Sequence, residues 1–504
     1  MRGNAKSFSL MVSWIIWLRS FRKTVPFLLC TFAFSLLCVA GCKGNNPPDI
    51  PLVPLGSSSG DIGNYTFLSS TIDPDEDSIS IKFDWGEGTE SQWSDYVASG
   101  DTVSMTHFYA DSGIFYIQAK AKDEEGAESD WSNSHMLDIS RAILWTKKYG
   151  GAGDDYGHSV KETSAGEYVI AGYTNSYGAG GSDVYFIKTD MNGNLVRENT
   201  YGGSYNDRGY SIWETFDGGY ILVGYTNSPS GGGYGDVYLI KTDANGIALW
   251  EKTYGGAYEE YGYSVQETTD GGYIIVGNTA SFGAGDLDVY LIKTDASGDT
   301  LWTKTYGGTE HDCGYSVSQT QDGGYIVTGY TASFGAGSDA VYLIKTDANG
   351  NTLWTKTYGG TQDDRGRSVQ QTMDGGYIVA GYTNYLSVTV YDVYLIKTDA
   401  NGNVIWEETY GESFNEYGYS VQQTMDGGYI VAGHTSSFGV SVYDVYLIKT
   451  DGNGNLLWER ICGEWRFDYG YSVCETIDGS YVVAGCTNSS GAGGFDVYLI
   501  KSAP

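Results

Sequence analysis

The chain has 504 residues, enough for two or more domains, and its 41% hydrophobic and 15% aromatic content suffices to fill a core, which excludes a disordered chain. Residues 1–41 carry five Lys/Arg and no acid, so the remainder holds 24 basic against 62 acidic side chains. A surface that acidic repels nucleic acid and anionic lipid; it excludes phosphate-backbone binding and leaves cations, basic peptides and neutral glycans as partners.

At the N-terminus, Arg19, Arg22 and Lys23 precede an apolar run from Val25 to Ala40. That run is short for a membrane span and suits the core of a secretory signal. It ends in Val39-Ala40-Gly41-Cys42, which resembles the lipobox of bacterial lipoproteins, with Val39 where Leu is commoner. The resemblance implies that residues 1–41 are removed and that Cys42 is lipidated. Contact with the membrane would then be through that anchor only, with an address in a bacterial cell envelope, at the outer membrane or cell surface. Beyond the leader stand Cys313, Cys462, Cys474 and Cys486. They form no CxxC pair and the five His do not cluster near them, so no zinc site is expected; a disulfide among them is open, with no pairing implied.

Residues 42–54 form a tether, Pro-rich from Asn45, and residues 55–140 change texture. Alternation in Ile79–Phe83 and Phe115–Ala121, with turn residues between, predicts a small antiparallel β-sandwich. Asp73-Pro74-Asp75, the Asp84–Gly88 turn, His107-Phe108-Tyr109, Gly113 and Asp123 give this stretch a resemblance to the PKD domain, an immunoglobulin-like module. Glu87 departs from that family's usual Asp. The resemblance implies a spacer or weak binding unit and no chemistry. Asp73, Asp75 and Asp77 have the spacing of a calcium loop, and calcium is the one cofactor the sequence brings forward. Ser78 stands where a calcium loop of the EF-hand kind needs Gly, so a polar turn whose Asp side chains bond their own backbone is the alternative.

From residue 141 to 504 one unit recurs seven times: a Tyr-Gly landmark at Tyr149, Tyr201, Tyr254, Tyr306, Tyr358 and Tyr410, with Cys462 in the seventh place. The ten residues TMDGGYIVAG appear at both 372–381 and 424–433. Each unit has four apolar runs, in the fifth Ser368–Thr372, Tyr377–Thr383, Val393–Thr398 and Ile405–Tyr410. Asp374-Gly375 marks a hairpin, since both residues tolerate the positive φ of a tight turn. Runs such as Val393–Ile396 are apolar on both faces and must be covered on both. Four-stranded sheets at a fixed period predict a β-propeller. The last unit stops after its third run and an orphan run at 144–149 precedes the first, so the two ends complete a seventh blade and remove the open edges. The fold class is therefore all-β: an immunoglobulin-like sandwich followed by a seven-bladed propeller.

The TDANGNTLWTKTYGG segment resembles the docking repeats of quinoprotein propellers. The resemblance implies that Trp145, Trp250, Trp302, Trp354, Trp406 and Trp458 lock blades together; a vicinal cysteine pair for a quinone cofactor is missing. Each unit also places an acid just before its first strand: Asp155, Asp207, Glu260, Asp312, Asp364, Glu416 and Asp468. In a propeller that strand lies nearest the channel, so these acids either ring one mouth and attract cations or latch backbone amides at each turn. The repeat breaks one residue later, at Tyr156, Arg208, Tyr261, Cys313, Arg365, Tyr417 and Tyr469, and again just before the recurring Ser, at His158, Tyr210, Tyr263, Tyr315, Arg367, Tyr419 and Tyr471. Mixed Tyr and Arg is a composition common in binding surfaces, which nominates Arg208, Tyr261, Arg365, Arg367, Tyr417 and Tyr469 as a rim site. No nucleophile elbow, phosphate loop or metal cluster is present in the propeller. The expectation is a lipid-anchored, exported, non-enzymatic binder of a glycan or an extracellular protein. The rivals are a carbohydrate-active enzyme with a carboxylate pair and a structural envelope protein.

Overall fold

The computed structural model describes residues 45–57, 59–60, 63–109, 113–139, 142–227, 234–384, 390–437, 442–489, 491 and 493–504. The expected leader and Cys42 lie outside these residues. The chain divides into two compact units, Met1–Ser140 and Arg141–Pro504, all of whose described regular elements are strands.

The first unit holds β1 (Ser59–Gly60), β2 (Gly63–Ser70), β3 (Ile79–Asp84), β4 (Thr102–Tyr109), β5 (Gly113–Asp123) and β6 (His135–Ile139). They form a four-stranded sheet in the order β1-β6-β5-β3 and a two-stranded sheet of β2 and β4. Inward positions alternate along β5, so Ile117, Ala119 and Ala121 meet Phe67, Ile79, Ile81, Phe83 and Leu137 in one core. The Tyr109 hydroxyl donates to the Trp85 carbonyl at 2.9 Å across that core. Both aromatics are buried in that core, and the bond satisfies the Tyr109 hydroxyl there.

The second unit is a ring of seven four-stranded antiparallel sheets. In blade 5 the strands are Asp364–Gln371, Tyr377–Thr383, Asp392–Thr398 and Val404–Tyr410. The last blade takes Asp468–Glu475, Tyr481–Thr487 and Asp496–Ser502 and is completed by β7 (Ile143–Tyr149) from the start of the unit. Its register runs from Val497 opposite Tyr149 to Lys501 opposite Trp145. First strands of neighbouring blades touch all the way round, so they wall the channel, while fourth strands face outward and are largely exposed. Second and third strands are buried on both faces, as their unbroken apolar runs demand.

Three repeated devices close the ring. Each recurring Ser accepts the main-chain N–H of the next blade's first strand, from Ile212 onto Ser159 at 3.3 Å round to Val160 onto Ser472 at 3.1 Å. Each repeat Trp packs against the Tyr opening the next blade's second strand, as Trp354 does on Tyr377 with centroids 5.9 Å apart. The landmark Tyr358 donates to the Gly402 carbonyl at 2.8 Å, and a Cβ on Gly402 would meet the Trp354 ring at 2.9 Å. The Trp side chains are thus inter-blade packing, and the turn glycine is required both by its φ of 73° and by the indole lying on it.

Two expectations need correction, and one open question is answered. Blade 5's first strand begins at Asp364 rather than Ser368, because Asp364, Arg365 and Gly366 pair with Thr383, Tyr382 and Gly381. The acid is therefore the first residue of the strand, and the polar Asp-Arg-Gly-Arg run hid it from an apolar pattern. At the Asp374-Gly375 turn only Gly375 has positive φ. Asp374 instead accepts from the Gly376 N–H at 3.0 Å and the Lys397 ammonium at 2.9 Å, clamping a lysine that is only 3% exposed. Burial would raise that carboxyl, but hydrogen bonds from Thr372, Lys397 and Gly376 hold it down at about 2. Finally, all four cysteines are buried and none is in a disulfide. Cys462 and Cys474 sit in separate cores and Cys313 lies against Asn278, so no disulfide joins them.

Candidate functional site: the channel ring and its mouth

Every first strand carries a bulge at the same place. In blade 5 the register shifts between Gly366 and Ser368 and leaves Arg367 without a cross-strand partner. The same shift isolates Tyr210, Tyr263 and Tyr419 in their blades. A bulge bends its strand and re-aims the extra side chain. Here it turns seven side chains into one continuous ring around the channel. His158 meets Tyr210 at 5.3 Å, Tyr210 meets Tyr263 at 5.3 Å, and Tyr263 meets Tyr315 at 5.2 Å between centroids. The Arg367 guanidinium lies 4.1 Å from the Tyr315 centroid and 5.5 Å from Tyr419. Tyr419 then meets Tyr471 at 5.5 Å, and Tyr471 returns to His158 at 4.9 Å. These seven line a cavity of about 220 Å³. Burial first, and then the Arg208 charge, push the His158 imidazole down to about 4, so it is neutral at physiological pH.

A second tier stands over the ring, built from the residue after each acid. Tyr261 stacks on Tyr263 at 6.0 Å and Tyr469 on Tyr471 at 6.1 Å, because residues two apart on a strand share a face. The expected rim residues Arg208, Tyr261, Arg365, Tyr417 and Tyr469 all belong to this tier and are half-buried. Arg367 does not: it is in the ring below. Arg208 lies 4.8 Å from the Tyr173 centroid, and Arg365 lies 4.4 Å from that of Tyr330 while its guanidinium pairs with Asp339 at 2.5 Å.

The mouth is lopsided. Over blades 5 to 7 and into blade 1, aromatic rings form an unbroken arc. Tyr391 meets Tyr417 at 5.4 Å, Tyr417 meets His434 at 5.0 Å, and His434 meets Tyr469 at 4.8 Å. Tyr469 meets Phe495 at 6.0 Å, and Phe495 meets Tyr156 at 5.3 Å. Sequence reasoning missed Tyr443, Phe495 and His434. The signal for Tyr443 and Phe495 is the residue just before the recurring Asp-Val-Tyr, which is Ser182, Gly235 and Leu287 in blades 1 to 3 but Tyr391, Tyr443 and Phe495 in blades 5 to 7; His434 stands in the second strand where four other blades carry Tyr.

The seven acids do not face this mouth as open carboxylates. Each is at most 1% exposed. Each accepts the N–H four residues back, as Asp364 does from Gly360 at 2.7 Å and Glu416 from Glu412 at 3.0 Å. A hydroxyl completes each latch: Thr279 on Glu260 at 2.7 Å, Ser333 on Asp312 at 2.6 Å, Ser489 on Asp468 at 2.9 Å. Asp155 takes the Ser176 hydroxyl at 2.7 Å, and Asp207 takes that of Thr226. Of the two alternatives the geometry is that of the latch.

In the first unit Asp73, Asp75 and Asp77 bring one carboxylate oxygen each within 4.8 Å of one another. Asp73 is 1% exposed; its Oδ1 accepts the N–H of Asp75 at 2.8 Å and of Asp77 at 3.3 Å. That is the polar turn. Its Oδ2 is buried with no hydrogen-bond partner. Burial and then the Asp73 and Asp75 charges raise the Asp77 carboxyl, the mutual repulsion a bound cation would relieve.

No family model matches the chain. Part of it is similar to the regulatory protein FlaEY of Caulobacter vibrioides, 25% identical over 233 residues, or 41% of this chain and 24% of that protein. The chain thus spans about a quarter of that relative's length. Among solved structures, the PKD domain of an M14-like peptidase from Thermoplasmatales archaeon SCGC AB-540-F20 is 33% identical, across 19% of this chain and all of that one, with a TM-score of 0.19. The extracellular domain of the putative hybrid two component system BT3049 from B. thetaiotaomicron is 10% identical, covering 89% of this chain and 51% of that one, with a TM-score of 0.40.

Proposed function

We propose that this protein is an exported, non-enzymatic binding module that takes a glycan, or failing that an extracellular protein, at the channel mouth. The observation that carries the reading is the arc of half-buried aromatic rings over a side-chain ring, set into blades that are otherwise uniform. Aromatic faces aligned on a rigid scaffold suit sugar rings, whose C–H faces stack on them while the hydroxyls bond elsewhere. A non-enzymatic role at the channel mouth is supported by the fate of the acids there: none lines the channel cavity, and the seven nearest it are tied to backbone amides. The leader and Cys42 support delivery to a bacterial surface on a lipid anchor, with the sandwich as spacer.

Retention of the full chain on a panel of insoluble polysaccharides and cell-wall preparations tests this. Binding to one class, lost in Tyr417→Ala and Tyr469→Ala, is expected. Release of soluble products from any of them would instead mark an enzyme, and no retention anywhere would shift weight to a protein partner or a structural role.

A calcium ion at Asp73, Asp75 and Asp77 is a second reading, favoured by the buried, unpartnered Asp73 Oδ2. Calcium at millimolar concentration is expected to raise the unfolding temperature of the first unit, and Asp73→Asn to remove the rise; equal melting in calcium and in chelator would overturn it.

A further inference from the structure

The charge of the whole chain is −33, yet the one formal charge in the channel ring is positive. That charge is Arg367. One terminal nitrogen donates to the Tyr382 hydroxyl at 3.0 Å, and the guanidinium plane is flanked by Tyr315 and Tyr419. Its Nε is buried with no hydrogen-bond partner, and among the described residues no carboxylate pairs with it. Two residues earlier on the same strand, Arg365 has its counter-ion: Asp339 takes its Nε at 2.7 Å and a terminal nitrogen at 2.5 Å. A guanidinium cannot shed its proton to escape burial. Cation–π contacts offset only part of the lost hydration, so the ring is left with an unmet demand for an anion.

A second orphan lies on the far side of the same ring. His158 Nε2 is buried without a partner, and the imidazole is neutral. The cavity between them therefore has one fixed positive charge, one neutral imidazole and five phenol rings in its walls and no acid among them, with the two orphaned nitrogens lying just behind its surface. Its volume of about 220 Å³ is below that of sites for drug-sized ligands and fits a single sugar-sized group. Above it stands the aromatic arc of Tyr391, Tyr417, Tyr469 and Phe495.

From this juxtaposition we infer that the ligand is an acidic saccharide, a glycan bearing a sugar carboxylate, with that carboxylate seated on Arg367 and neighbouring sugar units stacked along the arc. The inference rests on the glycan reading above and names its chemistry. A carboxylate matches the guanidinium fork, and one charge on the ring calls for one anionic group. Densely charged polyanions are disfavoured, because the net charge of −33 repels them before they reach the ring. Sugars are favoured over acidic peptides because the channel-wall strands already spend their backbone groups on the blade sheets, leaving flat aromatic faces rather than an open edge.

The test is calorimetric titration of the full chain with a neutral-sugar oligosaccharide carrying one glucuronate, and with the same oligosaccharide after its carboxyl is reduced to an alcohol. Reduction is expected to weaken binding by about tenfold or more, the worth of a charge-assisted hydrogen bond. Arg367→Met is expected to bring the acidic sugar down to the level of the reduced one, leaving the reduced sugar within about twofold of its original affinity. The comparison of the two sugars needs no variant, so a misfolded mutant does not remove the test. Equal binding of both sugars to the unaltered chain overturns this inference while the glycan reading stands. Binding of neither, with capture of a peptide carrying a single Glu, overturns both.

Discussion

Two rings of side chains sit three residues apart on the same seven strands and behave in opposite ways. The acids at the strand starts are uniform from blade to blade, almost wholly buried, and bonded to their own turns. The bulge residues just before each recurring Ser vary among His, Tyr and Arg and meet around a cavity. The acids carry charge and look chemical; the tyrosines look like core. The structure reverses that impression, because an acid that recurs seven times serves a contact that recurs seven times. Two guanidinium groups, Arg367 in the ring and Arg208 in the tier above it, have a buried Nε with no hydrogen-bond partner and, among the described residues, no carboxylate pair. Repetition of the same backbone contact marks construction, and departure from the repeat around a cavity marks a place for something else.

Variants that remove a member of each ring sharpen this contrast. The largest effect is expected from the latch. Glu416→Ala strands the Glu412 N–H, the Thr435 hydroxyl and the Ser437 N–H, which the carboxylate now accepts at 3.0, 2.7 and 3.2 Å. Loss of about 3 kcal/mol in urea unfolding is expected, since buried donors lose a charged acceptor. A loss smaller than that of an ordinary surface substitution would break the contrast.

A smaller and pH-dependent effect is expected beside the latch of blade 3. Asp236 is 5% exposed and its carboxyl is pushed up to about 6 from 3.8, by burial first and then by the Glu260 charge. A raised folded pKa means that the native state holds its proton more tightly, so stability falls as pH rises from about 4 to about 6 and stays reduced above. Asp236→Asn should therefore stabilise the chain by on the order of 1 kcal/mol at pH 8 and change it little at pH 4. Blade 4 already carries Ala340 in the equivalent place, so the fold tolerates the loss. Thermal unfolding of both proteins across that range checks it; a difference that does not move with pH would sink the assignment.

The smallest effect is expected in the channel ring. Tyr263→Phe removes one hydroxyl and keeps the ring stacked between Tyr210 and Tyr315. Stability should stay within about 0.5 kcal/mol. A larger loss, in the same urea assay, would make the ring structural and weaken its reading as a site.

Much of the fold was legible in the sequence. The period, the turn glycines and the complementary ends gave seven blades and a closure by β7, because each blade must bury the same two strands against its neighbours. The sandwich followed from period-two alternation around Phe83 and Ile117. The site was legible only as a list. Arg208, Arg365 and Arg367 all stood out as departures from the repeat, but their spacing along the chain could not say that Asp339 neutralises Arg365 while, among the described residues, no carboxylate pairs with Arg208 or Arg367.

What the sequence determined by itself, then, was everything that depends on local geometry repeated: strand, turn, docking Trp and blade count. What only the tertiary structure decided was partnership across the ring. The bulge that aims Arg367 inward shifts register by a single residue, and its neighbours Tyr315 and Tyr419 lie on other blades, 52 residues away in either direction. A counter-ion, a stacking face or an orphaned nitrogen is a property of such through-space neighbours, and closure of the ring is the step that assembles them.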